Sequence, residues 1–216
     1  MTSSAATKTS SGDGAIAVEA TEELAQRRSD PRYLRLMSAT RRAARRGYEG
    51  VSMRELAATT QMSLATMYGF CPSKDQLIAE AHADRMERFR ARLDEDPPKG
   101  DTAEERVQAV AHGMVDTLEQ DETATRTLMR ALYSGGPGVG SSRLAVSATY
   151  RAIVDAAIGD EDIADRAAVI ETFGFVLNSV ILDWLTPGLT SEGHDAAFAR
   201  QALDQAIHVL LGPRTG

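Results

Sequence analysis

The sequence predicts an all-α protein of about nine helices, and three features carry that expectation. Apolar residues recur with a helical period in segment after segment, and nowhere alternate as in a strand. Helix-opening caps precede several of these segments, and Gly or Pro closes others. Apolar content reaches 43% with only 5% aromatic, which suits helix-on-helix packing better than a sandwich of sheets.

The elements follow in order. Residues 1–29 begin with a run of Ser, Thr and Gly and read as a disordered tail. Asp30 as N-cap and Pro31 at the first helical position open a helix that ends at Gly47. Ser52-Met53-Arg54-Glu55 is a capping box for a short helix to about Thr59, and Ser63 starts another from Leu64 to about Phe70. A second box, Ser73-Lys74-Asp75-Gln76, opens a long charged helix to about Leu93. After the break at Asp96-Pro97-Pro98-Lys99-Gly100, helices are expected over about Thr102–Gln120, Glu122–Tyr133, Ser142–Ile158, Asp162–Leu185 and Ser191–Leu211. Gly135–Gly140 is a loop between two of them, without the Gly-Lys-Ser/Thr that grips phosphate. Pro187-Gly188 ends the most apolar helix.

Charge is unevenly placed. The chain carries a net -7, yet residues 27–74 hold ten Lys/Arg against three acids, a local +7 that leaves -14 for the rest. That asymmetry suits one module that meets phosphate and another that does not. A solvated basic face gives the same count.

Two short capped helices joined by a tight turn, inside a basic three-helix block, make a helix-turn-helix. Three stretches then resemble the signature of TetR-type repressors: Gly47-Tyr48-Glu49-Gly50-Val51-Ser52-Met53-Arg54-Glu55-Leu56-Ala57, Met62-Ser63-Leu64-Ala65-Thr66-Met67-Tyr68, and Pro72-Ser73-Lys74-Asp75-Gln76-Leu77. The resemblance covers roughly residues 31–80. It implies a DNA-binding domain over 30–76 and a ligand-binding and dimerisation domain over 77–216. It places Ser63, Leu64, Ala65, Thr66, Tyr68 and Phe70 of the recognition helix near DNA, with Ser52, Arg54 and Lys74 on phosphates. Tyr68 also offers a phenol at phosphate height, and Thr66 a hydroxyl and a methyl for base edges. Arg27, Arg28 and Arg32 form either a flexible arm towards DNA or a solvated run. The sequence departs from the family pattern at Leu64, Ala65, Gly69-Phe70 and Cys71. These departures put the operator sequence out of reach, and Cys71 reads as a small buried hydrophobe.

For the acidic body, the resemblance implies that the last two helices pair with their copies across a two-fold axis. Leu177, Val180, Ile181, Trp184, Phe198, Ala202, Ala206 and Leu210 are the candidate interface, with Trp184 as anchor. The central helices would enclose an apolar cavity lined by Met114, Met129, Tyr133, Tyr150 and Phe173, with Arg126 and Arg130 as partners for any anionic group. Leu128–Tyr133 and Asp183–Thr186 resemble the repressors of actinobacterial cholesterol breakdown, which implies a steroid or acyl-CoA thioester as effector.

Enzyme chemistry has no visible footing. The four histidines, His82, His112, His194 and His208, lack metal-ligand spacing, and His112 with Asp116 one turn away reads as a surface pair. No nucleophile elbow or nucleotide fingerprint is present, so neither metal nor cofactor is expected. No run approaches the ~18 apolar residues of a membrane span, and the start lacks a secretion signal. With a single cysteine, this points to the cytoplasm. The expected partners are an operator duplex, a small hydrophobic effector and a second copy of the chain. A helical interaction protein without DNA binding is the alternative.

Overall fold

The computed structural model describes residues 26–27, 29–186 and 194–213. The tail to residue 25, Arg28 and the Pro187-Gly188 stop lie outside them. Among the described residues there are nine α-helices and no strand.

Helix α1 (Pro31–Ala44) starts as its sequence dictates: Asp30 accepts from the Arg32 N–H at 2.8 Å, and Pro31 has no N–H to satisfy. It buries Tyr33, Leu36, Met37 and Thr40. Gly47, at φ 82, turns the chain with a positive φ that a side chain resists. A 3-10 turn over Tyr48–Gly50 then leads into α2 (Met53–Thr60) and α3 (Leu64–Phe70). Long α4 (Lys74–Glu95) leaves this head and becomes the spine of the body, packing on α1, α6 and α7. The body comprises α5 (Ala103–Glu119), α6 (Glu122–Leu132), α7 (Val139–Ile158), α8 (Arg166–Leu185) and α9 (Ala196–Leu211). Helix α9 lies on α5 and α8, and α8 on α6 and α7.

The caps differ in detail from the sequence reading. Ser52 and Ser73 accept from the N–H groups of Glu55 and Gln76, but neither box closes. Glu55 is drawn to Arg46 at 3.0 Å, and Gln76 to Glu80 at 2.9 Å. The closed box is instead at Thr102 and Glu105, which satisfy each other's backbone groups at the start of α5. Helix α7 begins at Val139, inside the expected loop, and α8 begins at Arg166 rather than Asp162. Gly138, at φ 78, lies against α4 beside the Gln76 side-chain amide, where a Cβ would press on it.

Helix α8 is also the one described helix long and apolar enough to cross a membrane, with mean hydropathy 1.5. Its periodicity explains why: Val169, Ile170, Phe173, Leu177, Ile181 and Trp184 fill the body's core, while Phe175 stays 74% exposed.

Candidate nucleic-acid interface and internal cavity

The reading surface is built from α2 and α3. Gln61 ends α2 in the left-handed region, φ 56, and its N–H and that of Met62 both reach back to α2 carbonyls. Ser63 then caps α3, accepting from the Thr66 N–H at 3.0 Å, and its hydroxyl lies 2.9 Å from that of Thr66. Fully buried Met67 holds the helix to the head. Leu64, Ala65, Tyr68 and Gly69 face outward, with Leu64 and Tyr68 38% and 47% exposed. Phe70 turns the other way. It is half-buried, edge-on to Tyr33 at 5.8 Å, so its ring belongs to the head's packing.

Much of the basic block is consumed internally. Arg27 binds Glu80 at 2.5 Å and the Phe70 carbonyl at 3.2 Å, so it packs inward rather than forming an arm. Arg32 pairs with Asp30, Arg41 with Asp84, Arg45 with Asp121 and Arg46 with Glu55. Among the described residues, Arg35, Arg42, Arg54 and Lys74 of the block have no ion pair. Arg54 is exposed on α2, and Lys74 Nζ rests 4.0 Å above the Tyr48 ring. Arg130 of α6 approaches the same ring at 4.0 Å. Burial and the Asp75 carboxylate, to which the Tyr48 hydroxyl donates, raise the phenol's pKa to about 12, so it stays protonated at neutral pH.

The body encloses a cavity of about 310 Å³ between α4, α6, α7 and α8, with Leu118 of α5 closing one side. That is at the small end of the roughly 300–1,000 Å³ typical of ligand pockets. Of the expected lining, Met129, Tyr133 and Tyr150 are present. Phe173 is core, and Met114 stands behind Tyr150, whose hydroxyl donates to its sulfur. The expected anion partners are engaged elsewhere: Arg126 binds Glu122 and the Leu185 carbonyl, and Arg130 stacks on Tyr48. Arg143 and Arg151 line the cavity instead, the latter pairing with Glu171 at 3.4 Å. Sequence reasoning missed His82, which lines the cavity from α4 and whose buried Nδ1 has no hydrogen-bond partner among the described residues. Burial and nearby Arg85 lower its pKa to about 3, so the imidazole is neutral.

Comparison with known proteins places this geometry. Residues 36–81, which span most of α1 to the first turns of α4, match the model for bacterial regulatory proteins of the tetR family. The chain is 28% identical to the HTH-type transcriptional repressor KstR of Rhodococcus jostii over 98% of this chain and 97% of that one. With the protein of the same name from Mycobacterium tuberculosis it shares 26%, over 97% of each. The chain therefore carries a tetR-type N-terminal domain and is similar over nearly its full length to repressors of that family. A crystal structure of a TetR transcriptional regulator from Rhodococcus sp. RHA1 shares the fold at a TM-score of 0.70, with 20% identity over 83% of this chain and 95% of that one.

The apolar outer surface differs from the expected dimer face. Leu177, Ile181 and Trp184 are buried in the protomer's own core, because the girdle of α8 faces α6, α7 and α9 there. Val180, Phe198, Ala202, Ala206 and Leu210 retain exposure. Phe175 and Val209, at 74% and 83% exposed, were not anticipated. His112 pairs with Asp204 of α9 at 2.8 Å rather than with Asp116, which takes Arg200. His208 reaches Glu104 at 2.8 Å, and His194 bonds Asp183, so three imidazoles stitch α9 and the residues before it to α5 and α8.

Proposed function

We propose that this regulator represses transcription by binding a palindromic operator as a homodimer, and that a small hydrophobic effector in the cavity releases it. The observation that carries the DNA half is α3: Leu64, Ala65 and Tyr68 stand outside on a capped helix held by buried Met67. Apolar side chains left in solvent on a helix-turn-helix have a natural use against base methyls and sugars. Ser63 and Thr66 add hydroxyls at the same end. Ser52, Arg54 and Lys74 take flanking phosphates, with Arg32 available if Asp30 releases it. The match to repressors over nearly the full chain supports the sign of regulation.

The reading division falls at residues 30–76 and the sensing and pairing division at 77–216. Phe175, Val180, Phe198, Val209 and Leu210 on α8 and α9 supply an apolar face for a second copy, which would hold two recognition helices about one DNA turn apart. For the effector, a steroid or the acyl part of a CoA thioester suits the apolar wall. At about 310 Å³ the cavity takes only part of such a molecule, so a charged remainder would sit by Arg143 and Arg151.

The test uses the full chain and the duplex upstream of its own gene. Tyr68→Ala or Lys74→Ala is expected to weaken binding on the order of tenfold, and Lys74→Ala to reduce the salt slope by about one. Unchanged affinity in both variants would sink the interface. A monomer at micromolar concentration would sink the pairing. Absence of any melting shift with steroids and acyl-CoA thioesters would sink the effector class.

A further inference from the structure

Arg130 sits in the last turn of α6, in the body, yet its guanidinium lies 4.0 Å from the centre of a ring in the head, that of Tyr48. Lys74 Nζ lies at the same distance, 4.0 Å, from the same ring. One aromatic side chain therefore gathers a cation from the head and another from the body. The ring is a fixed support, because the Tyr48 hydroxyl donates to Asp75 on the first turn of α4. It also stands where phosphates are expected, beside Lys74 and just upstream of Ser52, the cap of α2.

Neither cation is spent. Lys74 has no ion pair among the described residues. Arg130 reaches Glu49 at 4.0 Å, and the two side chains are 62% and 85% exposed. An exposed pair at that distance contributes little. Arg126, one turn earlier on α6, shows the contrast, bound to Glu122 at 2.8 Å and to the Leu185 carbonyl. Attraction of a solvated cation to a ring aims the guanidinium without competing against a charged partner that grips it directly. Two positive charges at one ring also repel each other, and an anion that meets both removes that cost. Of the nearby carboxylates, Asp75 is turned to the Tyr48 hydroxyl and Glu49 stands out in solvent.

We propose that Arg130 is itself an operator contact, placing a guanidinium of the body on a backbone phosphate at the Lys74 edge of the half-site. This rests on the head binding DNA as proposed above, and it extends that interface past residue 76. A guanidinium grips phosphate oxygens through two parallel hydrogen bonds, whereas the Lys74 ammonium acts as a point charge. Such a contact carries no sequence information and instead fixes how the body sits over the duplex.

The experiment measures binding of the full chain to the duplex upstream of its own gene over a series of salt concentrations. Arg130→Ala is expected to weaken binding on the order of fivefold. It should also lower the slope of log K against log salt by about one for each recognition helix engaged. Arg130→Lys keeps the charge and should keep the slope. If Arg130 only joins α6 to the head, Arg130→Ala leaves the slope as it was, and that result overturns the proposal. Single phosphates of one half-site are then replaced by uncharged methylphosphonates. At least one replacement that weakens the unaltered chain should leave Arg130→Ala unaffected. No such position overturns the proposal, while losses in Tyr68→Ala and Lys74→Ala would still uphold the head as the reader. If the unaltered chain does not bind the duplex, the reading of the head falls and this contact with it.

Discussion

The two sides of α4 treat buried polarity in opposite ways. Towards the head, Glu80 and Asp84 are 2% exposed and held by guanidinium, phenol and amide donors from α1, from the residues before it and from α4 itself. Towards the cavity, His82 is equally buried, uncharged and unmet. Both cannot serve rigidity. Buried charges with full sets of partners fix a joint, because losing one partner strands the other. A neutral group without a partner costs less than a stranded charge.

The difference can be broken by substitution. Arg41→Ala takes one guanidinium from buried Asp84, which keeps Arg88, and is expected to cost on the order of 1–3 kcal/mol, read as a lower denaturant midpoint. His82→Leu removes an unmatched group and should leave the midpoint unchanged or higher at neutral pH. A large loss in His82→Leu would mean that the imidazole has a structural partner after all. Acid sharpens the contrast. The unfolded chain takes up the His82 proton near pH 6.5 and the folded chain only near 3. Unfolding therefore binds a proton across that window, and stability falls as pH falls through it. Arg85 is the charged group beside the imidazole, and Arg143, Arg151 and Glu171 stand around the cavity. His82→Leu should flatten the fall between pH 6.5 and about 4 by a few kcal/mol, seen as a smaller drop in melting temperature. Parallel curves for the two proteins would refute the buried neutral imidazole.

The smallest expected effect lies away from α4. Thr102→Ala opens the closed box of α5 and should cost about 1 kcal/mol without changing affinity for DNA. Arg54→Ala should do the reverse, weakening DNA binding severalfold with an unchanged melting temperature, since that guanidinium makes no ion pair in the described structure.

What was legible in the sequence was local. Asp30-Pro31 and Ser63 announce their helices, and the order of short helices in the head follows from those caps alone. The charge block misled because a sum along the chain cannot see Arg41 meeting Asp84, 43 residues away, or Arg27 meeting Glu80. The boxes at Ser52 and Ser73 failed for the same reason, since Glu55 and Gln76 had better partners elsewhere. On α8 the near-continuous apolar girdle suits core and dimer face at once and does not say which arc faces the protomer; Leu177 and Trp184 turn inward, and Phe175 is left outside. Nothing in the local sequence marks His82 as a buried, neutral imidazole. Its spacing from Glu80 and Asp84, two residues from each with Met86 a turn on, was the available sign that it faces a different environment.

Gly138 pressed against Gln76, with Arg130 over Tyr48 and Asp121 on Arg45, bears on how such molecules can be recombined. A graft that takes residues 30–76 onto a foreign body carries away one half of each of these contacts. The borrowed body would need an arginine over the tyrosine, an acid beside Arg45 and a residue without a Cβ where the strap crosses α4. The transplantable unit is therefore longer than the reading head, and must bring α4, α6 and the strap between α6 and α7 with it.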